Sequence, residues 1–380
     1  MYDCVLKGGR IIDPSQNIDD ILDLAIEKNK ISSLDKDIDP KTALQVFYLK
    51  EKLVVPGLID LHTHVYWKGS SISVSPDEIA PKSGITTMVD AGSTGAGNYL
   101  AFKDYIIESS ICNIFTFLNI AYAGIPYVSK YLNFSENQFL ETLNIASLVD
   151  TIKTFSNNII GIKVRLGVKG SGKSGLLPLL LALKASEITE KPLMVHIGDP
   201  PPAIQEILPY LRKGDIVTHS FRGGANKFLD NKGNVISEVW KARERGVLFD
   251  VGHGKGSFSF KTAKDMINAN FYPDTISTDM HSLSIKHVID LPTTMSKFIN
   301  LGMSLPKVIH ACTYTPASVI SQEPKIGQLR EGSVADISVF ELTDSEYKYF
   351  DSYNNILIGN KKLVPIMTLK NGQLIYPINL

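Results

Sequence analysis

The alternation of apolar and polar positions divides the chain into two styles. From about Leu53 to His281, short apolar runs are separated by longer stretches able to hold a helix. The runs are LVVPGLIDLHTH, TTMVDAG, CNIFTFLNIA, IIGIKVRL, LMVHIGD, IVTHSF, VLFDVGHG and TISTDMH, eight in all. Segments between them, such as GLLPLLLALKASEITEKP and SEVWKARERG, have the composition and length of crossover helices. Eight β/α units predict an α/β fold built on a (β/α)8 TIM barrel, in which chemistry sits at the C-terminal ends of the strands.

The flanks read differently. VLKGGRIID, LDLAIEKNKISSL and LQVFYL near the start, and ADISVFEL and VPIMTLKNGQLIYP near the end, are short strands and turns. Asn371-Gly372 suits a tight hairpin turn. LKGGRII (Leu6 to Ile12) is faintly echoed by LKNGQLI (Leu369 to Ile375). The expected layout is a small β-sandwich domain formed by both termini, residues 1–54 plus 325–380, around a barrel of residues 55–324.

Composition narrows the function without naming it. The 380 residues, 44% hydrophobic and 21% charged, are those of an ordinary globular protein with ample core. Thirty-nine basic residues balance thirty-nine acidic ones, which argues against a nucleic-acid or membrane partner and for a small-molecule substrate. Self-association into a homo-oligomer stays open. The N-terminus MYDCVLKGGRIID lacks the unbroken apolar stretch of a signal peptide, so a cytoplasmic location is expected. Cys4, Cys112 and Cys312 are odd in number and far apart, and read as small buried hydrophobes.

The candidate chemistry comes last in the strands. His62 and His64, one residue apart in LIDLHTHVYW, point to one face of a strand. One metal ion satisfies two imidazoles at once. Run five ends with His196, run six with His219 and run eight with Asp279. Run four carries Lys163, whose ammonium would repel metal ions and would be costly to bury. Cations and burial both favour its neutral amine, which can take up carbon dioxide. The resulting carbamate is anionic, has two oxygens, and could bridge two metals.

Taken in order, PGLIDLHTH, IKV, VHIGD, VTH and STDMH resemble the amidohydrolase superfamily of metal-dependent hydrolases, and GQLREGSVADISVF (Gly327 to Phe340) resembles its return into the split β domain. DVGHGKGSFSF and STDMH look most like its amidohydrolase/deacetylase branch, often labelled dihydroorotase-like. The resemblance implies that His62, His64 and Asp279 hold a more buried metal and that His196 and His219 hold a second. Lys163, as N6-carboxylysine, would bridge them, and zinc is the usual ion.

Such a centre implies a hydroxide shared by two ions, attack on an amide or ester carbonyl, and Asp279 as the catalytic proton shuttle. Two dications less carbamate, aspartate and hydroxide leave one positive charge, which favours a carboxylate-bearing substrate such as an N-acyl amino acid. For substrate contact the candidates are Arg165, on the same strand face as Lys163 and equally suited to a structural salt bridge with a barrel neighbour, His253 and Gly254 in the glycine-rich VGHGKG, His281, which could instead orient Asp279, and Asn98 in GSTGAGNY. GSGKSG at Gly170 to Gly175 lacks the leading glycine spacing of a P-loop. His287 and His310 read as surface or packing residues. The expected activity is deacylation, with cyclic amide hydrolysis of dihydroorotase type as the alternative. The non-enzyme alternative is a metal-free scaffold.

Overall fold

A computed structural model describes residues 1–126, 128–132 and 134–376. Five strands come first: β1 (Tyr2–Asp13), β2 (Ile18–Glu27), β3 (Lys30–Asp35), β4 (Ala43–Tyr48) and β5 (Leu53–Pro56). The barrel strands follow: β6 (Leu58–Thr63), β7 (Ile85–Ala91), β8 (Asn113–Asn119), β9 (Ile159–Leu166), β10 (Leu193–Ile197), β11 (Ile216–Thr218) and β12 (Leu248–Asp250). The chain then returns through β13 (Ile337–Phe350), β14 (Ile356–Lys370) and β15 (Gln373–Tyr376).

Strands β6 to β12 form a parallel sheet in sequence order. Every residue of β6 and of β7 is buried, as expected of strands covered on both faces. Among the described residues seven of the eight predicted runs contain a regular barrel strand. The eighth, TISTDMH, is held by single bridges from Thr275 to Asp250 and from Met280 to Thr63, so it closes the barrel between β12 and β6. Its backbone still serves both neighbours: Val251 N–H donates to Thr275 O at 3.0 Å, and Asp279 N–H to His62 O at 2.7 Å. It is not a continuous ladder because Asp279 sits at φ 47°, outside the β region.

The first run also splits. LVVP is β5, in the terminal sheet, and LIDLHT is β6, in the barrel. Gly57 lies between them, packed so closely on Thr86 that a Cβ there would collide with its side chain. Helices Leu177–Thr189 and Ser237–Glu244 fall within the predicted crossovers.

Both termini meet in an eight-stranded mixed sheet, ordered β15-β14-β13-β5-β1-β2-β3, with β4 on β1. A bulge between Leu6 and Gly9 lets β1 pair first with β4 and then with β5. The sheet has its own apolar cluster, which includes Leu6, Leu24, Val54, Ile337 and Leu369. Asn371 (φ 52°) and Gly372 (φ 74°) make the hairpin turn between β14 and β15. All three cysteines are free and buried. Among the described residues no helix is long and apolar enough to cross a membrane.

The β13–β14 hairpin reaches the loop after β12. At its tip, Ser352 N–H donates to Phe258 O (3.0 Å), and the Ser352 hydroxyl to the carbonyls of His253 (3.1 Å) and Gly254 (2.9 Å). The terminal sheet thereby braces one wall of the barrel mouth.

Candidate metal centre

The ends of β6, β9, β10 and β11 and the bridged eighth segment bring the predicted ligands to one rim. His62, His64 and Asp279 are all buried, and their donor atoms lie within 4.8 Å of one another. Asp279 Oδ1 is 3.2 Å from His64 Nε2 and 3.5 Å from His62 Nε2. Beside them, His219 Nε2 meets His196 Nδ1 at 2.8 Å, and the His62 and His219 ring centres are 5.2 Å apart. Lys163 reaches the first group, with Nζ 3.2 Å from His62 Nε2 and 3.4 Å from Met194 Sδ.

Surrounding hydrogen bonds decide which ring nitrogens are free. Thr218 donates its one hydroxyl proton to Asp250 Oδ2 (2.7 Å), so it can only accept from His62 Nδ1 (2.8 Å). Asp250 also accepts from Thr275 and Ser277, each at 2.7 Å. His219 Nδ1 faces the Gly252 carbonyl at 2.7 Å and must donate to it. His64 Nδ1 is paired with Ser93 Oγ at 2.9 Å. The Nε2 atoms of His62 and His219 therefore carry lone pairs into the site, in the tautomer a metal ligand needs.

Burial sets the protonation states. It lowers His62, takes His219 down to about 3 and holds His196 well below its ordinary value, so these rings are neutral. Burial also takes the Lys163 amine down to about 7. Asp279 is pushed up by burial, but His62, His64 and His281 outweigh that and hold its carboxyl well below the usual range. Neutral imidazoles, an ionised aspartate and a lysine near neutrality form a donor set that fits divalent metal ions.

Comparison with known proteins agrees with the geometry. The model of the amidohydrolase family matches residues 238–375. A deacetylase of Brucella anthropi is 33% identical over 352 residues, covering 92% of this chain and 87% of its own. The chain belongs to the amidohydrolase superfamily, in its deacetylase branch. Two solved structures superpose over nearly the whole of this amidohydrolase. One, described as an adenine deaminase, has a TM-score of 0.91, 32% identity and full coverage of both chains. The other, described as a dihydroorotase, has a TM-score of 0.90 and 31% identity, covering 99% of this chain and 98% of the other.

The residues predicted to contact substrate have mixed placements. His281 lies at the centre, with Nε2 4.0 Å from Asp279 Oδ2 and its ring 6.0 Å from that of His64. Gly254, at φ 52°, packs on Asp279 so tightly that a Cβ would strike Oδ2. Arg165 Nη1 is engaged by Glu136 at 2.8 Å. His253 is fully buried, stacked on Phe258 at 4.6 Å and bonded through Nε2 to Lys297 Nζ at 2.8 Å. Asn98 spends its side chain on Gly95 N and Ala123 O, each at 3.0 Å, tying the loop after β7 to the loop after β8.

Sequence reasoning passed over several residues that hold the amidohydrolase site together. Thr218 and Asp250 orient His62. Asp60 accepts from the Thr278 N–H and hydroxyl, anchoring the segment that carries Asp279. The signal that singled out His196, a polar side chain closing an apolar strand, is also present at Thr218 in IVTHSF and Asp250 in VLFDVGHG. Glu136 and Lys297 lie away from any strand end and carry no such signal.

Proposed function

We propose that this chain is a metal-dependent hydrolase that removes an acyl group from a small amide or ester. It would work with two divalent ions, zinc expected, and with Lys163 carboxylated. The observation that carries the reading is the convergence of His62, His64 and Asp279 with Lys163 on one side and the His196–His219 pair beside it.

When bound, such ions supply a Lewis acid for the carbonyl oxygen and a water acidic enough to yield hydroxide near neutral pH. The chain's own part is proton traffic and orientation. Asp279, ionised and buried, would accept a proton from the attacking water and return it to the leaving nitrogen or oxygen. Lys163 is near its neutral point, so its lone pair could bond to the carbon of CO2 as one N–H proton departs to solvent, and the resulting carbamate would supply anionic oxygens for holding the ions beside His62. Thr218 and the Gly252 carbonyl fix the tautomers of His62 and His219, and Ser93 holds the His64 ring in place.

The relatives' names support deacylation first. A second reading, hydrolysis of a cyclic amide, is favoured by the superposition on a structure described as a dihydroorotase. Protein loaded with zinc and bicarbonate and offered N-acetyl-D- and L-amino acids, dihydroorotate and adenine separates the readings. Acetate release supports the first and ring opening of dihydroorotate the second. Metal well below one ion per chain under the same loading, with no turnover of any compound, contradicts both and favours a scaffold.

A further inference from the structure

One residue without a side chain touches both groups of ligands. Gly252, two residues after β12, packs against His62 and His219 at once. A Cβ on it would lie 3.0 Å from His62 Nδ1 and 2.8 Å from His219 Nδ1, and would collide with Thr218 Oγ1. Carbon needs about 3.5–4.0 Å to a non-bonded neighbour, so no methyl group fits. The backbone has nowhere to retreat. Gly252 N–H donates to Ser277 Oγ (3.0 Å), and its carbonyl accepts from His219 Nδ1 (2.7 Å). On either side, Val251 and His253 N–H donate to the carbonyls of Thr275 (3.0 Å) and Ser277 (3.2 Å). Both rings are buried, with centres 5.2 Å apart, so added volume has to move one ring relative to the other.

Gly92, the residue after β7, stands in the same relation to Lys163. A Cβ there would lie 2.7 Å from both Cβ and Cγ of Lys163, which is 1% exposed. The Gly92 carbonyl accepts from Asn119 Nδ2 at 3.0 Å. The next residue, Ser93, donates its N–H to Asp90 Oδ1 (2.7 Å), and its hydroxyl pairs with His64 Nδ1 (2.9 Å). The turn that supports His64 thus also sets where the stem of Lys163 can lie.

We propose that Gly92 and Gly252 are positioning residues that set the spacing of the two bound ions. Gly252 fixes the separation of His62 from the His196–His219 pair, and Gly92 fixes the placement of Lys163 against His62. Each contributes volume left empty, which lets ligand-bearing strands approach more closely than any other residue allows. A methyl group at either position leaves every ligand in the chain but alters the distance between donor sets, so two ions still bind and no longer share a bridge. This inference rests on the two-ion reading of the centre and adds what holds the two sets in register.

Electron paramagnetic resonance of the protein loaded with manganese and bicarbonate reads that spacing without turnover, because ions sharing a bridging ligand are spin-coupled and separated ions are not. The wild type is expected to give the coupled spectrum. Gly252→Ala should give the spectrum of isolated ions and bind the second manganese about 10–100-fold more weakly, with unchanged circular dichroism. Gly92→Ala, whose Cβ meets chiefly an aliphatic stem, is the milder second variant and should also lose the coupling. Gly214→Ala controls for backbone strain: its φ is 87°, no atom lies within 4 Å of its Cβ position, and it should keep the wild-type spectrum. Coupling kept by folded Gly252→Ala, or by Gly92→Ala should the first not fold, overturns the proposal. Loss of coupling in Gly214→Ala, or loss of the native fold in both of the other variants, does so too. A wild type that binds one manganese, or two without coupling, overturns the two-ion reading together with the proposal, and is told apart by failing before any substitution is made.

Discussion

Lys163 and Asp279 occupy states that their surroundings impose at a cost. Asp279 at φ 47° and His219 at φ 70° lie in left-handed backbone, which costs on the order of 1–3 kcal/mol each. Strain at these two residues is tolerated because the hydrogen bonds of Asp250 and Asp60 over-determine the surrounding backbone. Asp279→Asn keeps a ligating oxygen but cannot carry the proton, so it should retain much of its metal and lose kcat by about 10²–10⁴-fold. Near-normal kcat with full metal would remove Asp279 from the proton path.

Lys297 offers an independent check on burial at the residue scale. It is 1% exposed, its partners are His253 Nε2 and the His287 carbonyl, and burial takes its amine down from 10.5 to about 7. Between those values the unfolded chain binds the extra proton, so stability rises with pH across that window, by up to ~1.4 kcal/mol per pH unit. Lys297→Met has no such proton to lose. Urea denaturation should show the wild type gaining on the variant from pH 7 to pH 10, whereas a constant difference would mean that the amine is solvated.

At the scale of elements, the loop after β12 connects the two sheets to the chemistry. Gly252 accepts from His219, Gly254 packs on Asp279, and Ser352 at the tip of the β13–β14 hairpin holds the carbonyls of His253 and Gly254. Gly254→Ala adds a Cβ against Asp279 Oδ2 at a backbone angle that L residues rarely adopt. It should lower kcat at least a hundredfold while circular dichroism stays that of the wild type. Ser352→Ala leaves the His253 carbonyl without its side-chain donor, while Gly254 keeps its contact with His253 Nδ1, and should cost about 1–3 kcal/mol in denaturant unfolding. An unchanged midpoint would show that the hairpin tip does not brace the loop.

Across the whole molecule, the legible parts were those written as local patterns. Apolar runs with a polar last residue gave the barrel and placed His62, His196 and His219 on its rim, because strands buried on both faces leave a polar side chain only where the strand ends. The bridged eighth segment was less legible. Thr275 and Ser277 turn to Asp250 and Thr278 turns the other way to Asp60, as in a strand, and the departure at Asp279 depends on backbone angles that composition does not encode. The Glu136–Arg165 pair and the contact from Ser352 to His253 join residues 29 and 99 positions apart. Such partners are set by the packing of loops and hairpins: the sequence allows Arg165 a structural salt bridge without showing that Glu136 is its partner, and it gives no sign that His253 is closed in by Phe258 and Lys297.

The most direct test of the account is anomalous diffraction at the zinc edge from crystals grown with zinc and bicarbonate. Two peaks are expected, one among His62, His64 and Asp279 and one at His196 and His219, with continuous density extending from Lys163 Nζ between them. A map without peaks at those side chains, and with a bare lysine, would contradict it.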